Sequence, residues 1–185
     1  MSAAPAFFTR WRVRLGYLLA LAVFWFARPV PRMILLGGCI GTLGLLVRAY
    51  AAGCLHKQEM LTVFGPYAYT RNPLYLGSAI LTAGLAIAAH SWISAALLLG
   101  YFALFYSIVM RNEEQELRRR FGAVFDDYAR AVPLFLPRLT PAPMAAEKGA
   151  AFSWAQYRKN REYQAALGFI LILGLLVLLW AVRLP

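Results

Sequence analysis

The chain has 185 residues, of which 61% are apolar and only 15% charged, with a mean hydropathy of +0.58. A soluble domain carries roughly 45–50% apolar and ~25% charged residues, and this excess is too large to hide in a soluble core of this size. The net charge of +11 would suit nucleic acid, but the basic residues flank apolar runs and line no amphipathic face. That excludes a nucleic-acid partner and points to an integral membrane protein.

In chain order, Arg10, Arg12 and Arg14 precede a continuous apolar run, Leu15–Ala27. No small-residue cleavage site follows it, so the run reads as a first membrane span and not as a signal peptide. Arg28-Pro-Val-Pro-Arg32 is a tight connection in which one proline stops a helix and the second can open the next. Met33–Val47 is the second predicted span. Gly37, Gly41 and Gly44 recur there at helical spacing, beside Gly38, a pattern that lets two membrane helices approach closely. Cys39, inside this run, and Cys54 have no metal-ligand spacing, so both read as buried free thiols and no metal site is expected.

Arg48 to Asn72 is polar and turn-rich, with His56, Lys57, Glu59 and the turn Gly65-Pro66-Tyr67. Leu74 to Val109 is then apolar over 36 residues. One helix of that length would reach about 54 Å, too long for a single crossing of a ~30 Å hydrocarbon core. The segment therefore predicts a helical hairpin turning at His90-Ser91, with His90 a loop residue at the membrane surface and not a ligand.

From Arg111 the chain turns polar, and Glu114/Arg118 and Glu116/Arg120 are predicted i,i+4 pairs that carry the fourth span onward as a helix beyond the membrane. Gly122 ends or bends that helix, Ala123–Ala131 makes a short amphipathic piece, and Pro133, Pro137, Pro141 and Pro143 mark a loop. Phe152–Tyr163 is basic and aromatic, suited to the headgroup region, and Ala165–Val182 is a final span. The predicted fold is thus all-α and polytopic, a single membrane domain over residues 1–185 with five transmembrane helices. With the N-terminus cytoplasmic and the C-terminus outside, 16 of the 19 Lys and Arg residues fall on the inner side. Arginine outnumbers lysine 16 to 3, a bias of GC-rich genomes that suggests a bacterial inner membrane; a eukaryotic chain would sit in the endoplasmic reticulum.

Both long polar segments, 48–73 and 110–163, share the cytoplasmic side in this layout. The first ends with Arg71 and Asn72 just before Pro73, which is well placed as the first residue of the third span. A helix start offers free N–H groups and positive potential, and Arg71 adds a fixed cation, so a ligand carboxylate would be welcome there. Glu113 and Glu114, where the fourth span emerges, could hold an ammonium or a pair of sugar hydroxyls. The same residues also read as a topogenic arginine and a solvated acidic face.

These residues carry a family resemblance. Gly65-Pro-Tyr67 followed by Arg71-Asn-Pro-Leu-Tyr-Leu-Gly77 resembles the GPY…RHPxYxG signature of the isoprenylcysteine carboxyl methyltransferase family, relatives of the phospholipid methyltransferases. Glu113-Glu114, Leu117, Phe121-Gly122, Tyr128 and Val132-Pro133 resemble that family's second signature, and Lys57 and Leu61 its approach to the first. The resemblance covers residues 45–138 as a methyltransferase-like core, leaving 139–163 as cytoplasmic linker and interfacial segment and 164–185 as an added C-terminal span.

What the resemblance implies is a membrane-embedded methyltransferase that uses S-adenosylmethionine without a dinucleotide-type domain. It assigns cofactor contact to Tyr67, Arg71, Asn72, Tyr75, Gly77, Glu113 and Glu114, with Arg71, Asn72 and Tyr75 on the amino-acid end. Catalytic roles fall to Arg111, orienting an anionic acceptor, and to Glu114, the nearest base for an amine acceptor. The acceptor would be a lipophilic small molecule or lipid, a carboxylate first, entering between the third and fourth spans; nearby Tyr101, Phe102, Phe105 and Tyr106 read first as ordinary lipid-facing or packing residues. Asn72 departs from the family's His: it keeps a donor and an acceptor but does not titrate. Alternatives are a phospholipid-amine methyltransferase, or a non-catalytic membrane subunit or transporter that retains the fold.

Overall fold

The computed structural model describes residues 4–56, 60–143 and 152–183. Lys57, Glu59 and linker residues 144–151 lie outside the described residues, as do the side chains of Arg10, Arg12 and Arg14. Among the described residues all regular structure is helical: α1 (Ala4–Phe26), α2 (Pro31–Cys54), a 3-10 turn (Gly65–Ala68), α3 (Pro73–Ala89), α4 (Trp92–Phe121), α5 (Ala123–Ala131), α6 (Trp154–Lys159) and α7 (Tyr163–Val182). Three of these, α2, α4 and α7, are long and apolar enough to cross a membrane, and Leu15–Phe26 and Pro73–Ala89 are shorter apolar helices. Their outward surface matches that reading. Leu18, Leu21, Leu35, Leu46, Leu104, Ile170 and Leu171 are each 59–70% exposed, an apolar surface too extensive for a water-soluble monomer.

Local sequence explains the boundaries. Pro31 and Pro73 sit at the start of α2 and α3, where a missing N–H costs nothing. The Ser91 hydroxyl accepts from the Ser94 N–H and caps α4. His90 closes α3 in the left-handed region (φ +48), so the hairpin turns where the apolar run predicted. Gly122 (φ +53, ψ −127) ends α4 and starts α5 in a conformation that only glycine adopts freely.

Three expectations are corrected. The second helix runs to Cys54 and not to Val47. Arg48-Ala-Tyr-Ala-Ala52 contains no breaker, and the charge of Arg48 is matched by Glu162 of the segment preceding α7. Glu114 does not pair with Arg118: Glu114 faces Arg71, and Arg118 reaches Asp126 at 2.7 Å, because the turn at Gly122 brings α5 back alongside. Both cysteines are free, and Cys54 is buried as expected, but Cys39 is exposed on the outer face of α2.

α2 and α3 cross through glycines. A Cβ on Gly37 would lie 2.2 Å from the Gly84 carbonyl oxygen, and one on Gly44 would lie 2.6 Å from that of Gly77. Gly41 instead receives the Phe169 ring of α7, which a Cβ would meet at 2.4 Å. At one pole the α1–α2 connection, the hairpin turn and the end of α7 meet: the Arg28 N–H donates to Ala89 O (2.9 Å), and Arg183 donates to Ala27 O. Ala27, Ala88, Ala89 and Leu176 pack there as a small core. The other pole gathers the described residues of the 60–72, 110–143 and 152–163 segments.

Candidate active site

The second pole encloses a cavity of about 660 Å³, within the ~300–1,000 Å³ typical of small-molecule sites. Its floor begins with residues 68–72, which follow the Gly65-Pro-Tyr67 turn and are stitched to the proline-rich loop. The Arg71 N–H donates to Pro133 O (2.9 Å), the Thr70 hydroxyl to Phe135 O (2.9 Å) and the Asn72 side-chain amide to Leu134 O (3.0 Å). In the other direction the Arg138 N–H donates to Tyr69 O (2.9 Å). The Val132-Pro133 end of the second motif is therefore hydrogen-bonded to the Arg71-Asn72 step of the first. Asn72 is buried, and its amide anchors this loop.

Beneath the floor, the amphipathic α5 buries Phe125 and Tyr128 against Leu61, Val63, Val132 and Ala142. The Tyr128 hydroxyl donates to Tyr67 O (2.8 Å) and so holds the GPY turn in place. Burial pushes the Tyr128 phenol well above its ordinary range, against a smaller downward pull from Arg71. Burial raises Tyr67 likewise, reinforced by negative neighbours including Glu113 and Glu162. Both phenols therefore stay protonated donors at any physiological pH.

The acidic pair arrives from α4. Tyr75 donates to Glu113 Oε1 at 2.6 Å, while Arg71 forms an ion pair with Glu114. Of the residues singled out from sequence, Tyr67, Arg71, Asn72, Tyr75 and Glu113 line the cavity. Glu114 backs that wall through Arg71. Gly77 lies at the α2–α3 crossing, where a Cβ would sit 2.6 Å from Arg48 Cγ, and Arg111 lies on the exposed face of α4. Neither lines the cavity.

Among the described residues three buried polar atoms have no hydrogen-bond partner: the Tyr67 hydroxyl, Arg71 Nε and Glu114 Oε1, the last held in the ion pair with Arg71. Buried polar groups left in this state cost stability, and in a cleft they are the mark of a ligand not yet counted. Two donors on residues that line the cavity, with the Glu113 carboxylate on the same wall, fit a zwitterionic amino-acid end, so the residues present fit S-adenosylmethionine.

Sequence reasoning missed the far wall. Asn160, Arg161, Glu162, Gln164 and Ala165 line the cavity, although they precede or open the segment beyond the methyltransferase-like core. Arg48 donates to Glu162 and to the Ser78 hydroxyl, joining α2, α3 and the start of α7. Asn160 donates to Ala52 O (2.8 Å) and Leu55 O (3.0 Å) at the end of α2, where the carbonyls lack the next helical turn. One signal was available: Arg48 at the end of a glycine-rich apolar run and Glu162 within a basic segment are each out of keeping with their surroundings.

No solved structure matches the chain significantly. It is 38% identical to the nickel-cobalt-cadmium resistance protein NccN of Alcaligenes xylosoxydans xylosoxydans over 63% of this chain and 54% of that protein. It is 34% identical to the cobalt-zinc-cadmium resistance protein CzcN of Cupriavidus metallidurans over 70% of this chain and 63% of that protein. The chain thus spans a little over half the length of these relatives. Residues 36–124, which hold the first motif, the helical hairpin and the paired glutamates, match the phospholipid methyltransferase family, as the two motifs led one to expect.

Proposed function

We propose that this chain is an integral membrane enzyme of five spans that transfers a methyl group from S-adenosylmethionine to a lipophilic acceptor at the cytoplasmic face. The observation that carries the reading is the pair of unpartnered buried donors, the Tyr67 hydroxyl and Arg71 Nε of the first motif, in one cavity with Glu113 of the second. S-adenosylmethionine, when bound, supplies a methyl group already activated on a sulfonium. The protein's work is then to bind, orient and exclude water, and little acid–base chemistry is required. Arg71 and the Tyr67 hydroxyl provide donors for a carboxylate, and Glu113, oriented by Tyr75, provides an acceptor for an amine or ribose hydroxyls. Asn72 acts by holding the 133–135 loop under the site. A carboxylate acceptor, already ionised, needs only placement.

A second reading, methylation of a phospholipid amine, is favoured by Glu113 and Glu116 on the cavity wall, which would attract an ammonium headgroup.

The test is calorimetric binding of S-adenosylmethionine to detergent-purified protein, wild type beside Glu114→Ala. Micromolar binding that is lost in the variant supports the site, and no binding to well-folded wild type sinks the enzyme reading. Transfer of labelled methyl from the cofactor to membrane lipid then separates the acceptors, because a methyl ester is released by base and an N-methyl group is not.

A further inference from the structure

Arg161 occupies the turn between α6 and α7 with φ +54, a region that a residue bearing a Cβ enters only when its surroundings hold it there. Those surroundings are explicit. On one side Asn160 is fixed to Ala52 O and Leu55 O, and on the other Glu162, itself buried, is fixed to Arg48. Both neighbours are pinned to the end of α2, and the backbone between them has no freedom to relax. The outcome is that Arg161 faces the cavity.

The other arginines of the wall are engaged. Arg48 is bound to Glu162 and Ser78, Arg71 is paired with Glu114, and Arg120 lies over the Phe121 ring at 5.7 Å. Among the described residues the Arg161 guanidinium makes no hydrogen bond or ion pair. Trp154 and Tyr163, 68% and 43% exposed, flank this turn in sequence, as aromatic residues do where a helix meets the headgroup layer. A cation without a partner, held at a positive-φ turn on the wall of a cavity that Leu55, Leu61, Leu74 and Phe121 also line, is placed to meet an anion on an amphiphile.

We infer that Arg161 recognises the anionic headgroup, phosphate or carboxylate, of a single-chain or lipid amphiphile that enters this cavity. This deepens the proposed function, resting on it only in taking that amphiphile as the methyl acceptor. It also explains why the cavity needs the segment beyond the family core: residues 160–165 supply the acceptor side, while the two motifs supply the cofactor side.

The experiment titrates the full chain, in an uncharged maltoside detergent, with dodecyl phosphate, dodecanoate, dodecanol and inorganic phosphate. Wild type should bind the two anionic amphiphiles roughly tenfold more tightly than dodecanol. Arg161→Gly, which accepts the positive φ without strain, should remain folded and lose that selectivity. Arg161→Lys should retain most of it. Arg119→Gln removes the same charge from the exposed face of α4, outside the cavity, and should change nothing. Undiminished selectivity in Arg161→Gly, or an equal loss in Arg119→Gln, overturns the assignment. Inorganic phosphate binding as tightly as dodecyl phosphate overturns the amphiphile and leaves a free anion as the ligand. S-adenosylmethionine binding is measured in parallel: its absence from wild type, with anionic selectivity intact, defeats the methyltransferase reading and leaves this one standing.

Discussion

The α2–α3 crossing and the cavity at the basic pole are built on the same two helices by opposite means. In the crossing, Gly37 against Gly84 and Gly44 against Gly77 bring backbone onto backbone, so no side chain separates the helices and none is needed. Toward the pole the same helices carry Arg48 and Ser78, the Arg71-Asn72 step leads into α3, and Glu113, Glu116 and Glu162 help complete the enclosure. The crossing offers no chemistry but holds the helices at a fixed separation. The cavity offers chemistry and carries a cost in two unsatisfied donors, the Tyr67 hydroxyl and Arg71 Nε. Rigid apolar contact at one place is what permits polar frustration at another, since a site assembled from side chains keeps its geometry only when its supports do not move.

The comparison can be broken most severely at the crossing. In Gly84→Leu the new Cβ would lie 2.5 Å from both Gly37 O and Gly41 N, backbone atoms that cannot step aside. Overpacking of this kind costs about 3 kcal/mol or more, and the variant should fail to give a monodisperse folded peak in detergent. At the cavity, Glu114→Ala leaves Arg71 partly buried without its counter-charge. Cofactor affinity should fall roughly 10- to 100-fold, as expected for a charge-assisted contact of ~1.5–3 kcal/mol, with thermal unfolding shifted far less than in Gly84→Leu.

Glu162→Gln sharpens the contrast by testing whether the far wall is structural. It removes the charge facing Arg48, whose side chain is 20% exposed against 9% for Glu162. Stability should drop by about 2 kcal/mol, and an unchanged melting temperature would mean the pair contributes nothing.

Tyr67→Phe probes the frustrated hydroxyl directly. Without ligand the variant should be as stable as wild type or about 1 kcal/mol more so, since an unsatisfied buried hydroxyl is removed; with cofactor it should bind more weakly. Its pH dependence follows from the sign of the shift. Tyr67 and Tyr128 are raised in the folded state, so the stability tied to their neutral forms is complete below the unfolded value of ~10 and is lost as pH rises toward the folded values. Wild type should therefore weaken above pH ~10 more steeply than Tyr67→Phe, as read by alkaline melting curves. The smallest effect is expected from Gly100→Ala on α4, where a Cβ meets nothing within 4 Å. Relief of backbone entropy should stabilise it by ~0.4–1 kcal/mol, and a destabilised Gly100→Ala would mean that α4 has a neighbour on that face.

How much was legible follows from the range of the interactions. Helix existence, the hairpin at His90, the break at Gly122 and the glycine approach of α2 are properties of composition, breakers and period within a few residues, and the amino-acid order alone determined them. So did the two motifs, because Arg71 and the Glu113-Glu114 pair are recognisable in short windows. The extent of α2 beyond Val47 was not legible, since Arg48 reads as the end of an apolar run until its counter-charge, Glu162, 114 residues away, is in view. The pairing of Glu114 with Arg71 was likewise undecided by a helical spacing that offered Arg118 as readily. Above all, the order of residues said nothing of a cavity whose two walls come from opposite ends of the chain. Only the tertiary structure brings Arg161 to the site of Arg71, because the packing of α7 on α2 is set by apolar surface that many helices could supply. The polar contacts that then align them, Asn160 to the end of α2 and Glu162 to Arg48, act only once the helices have met.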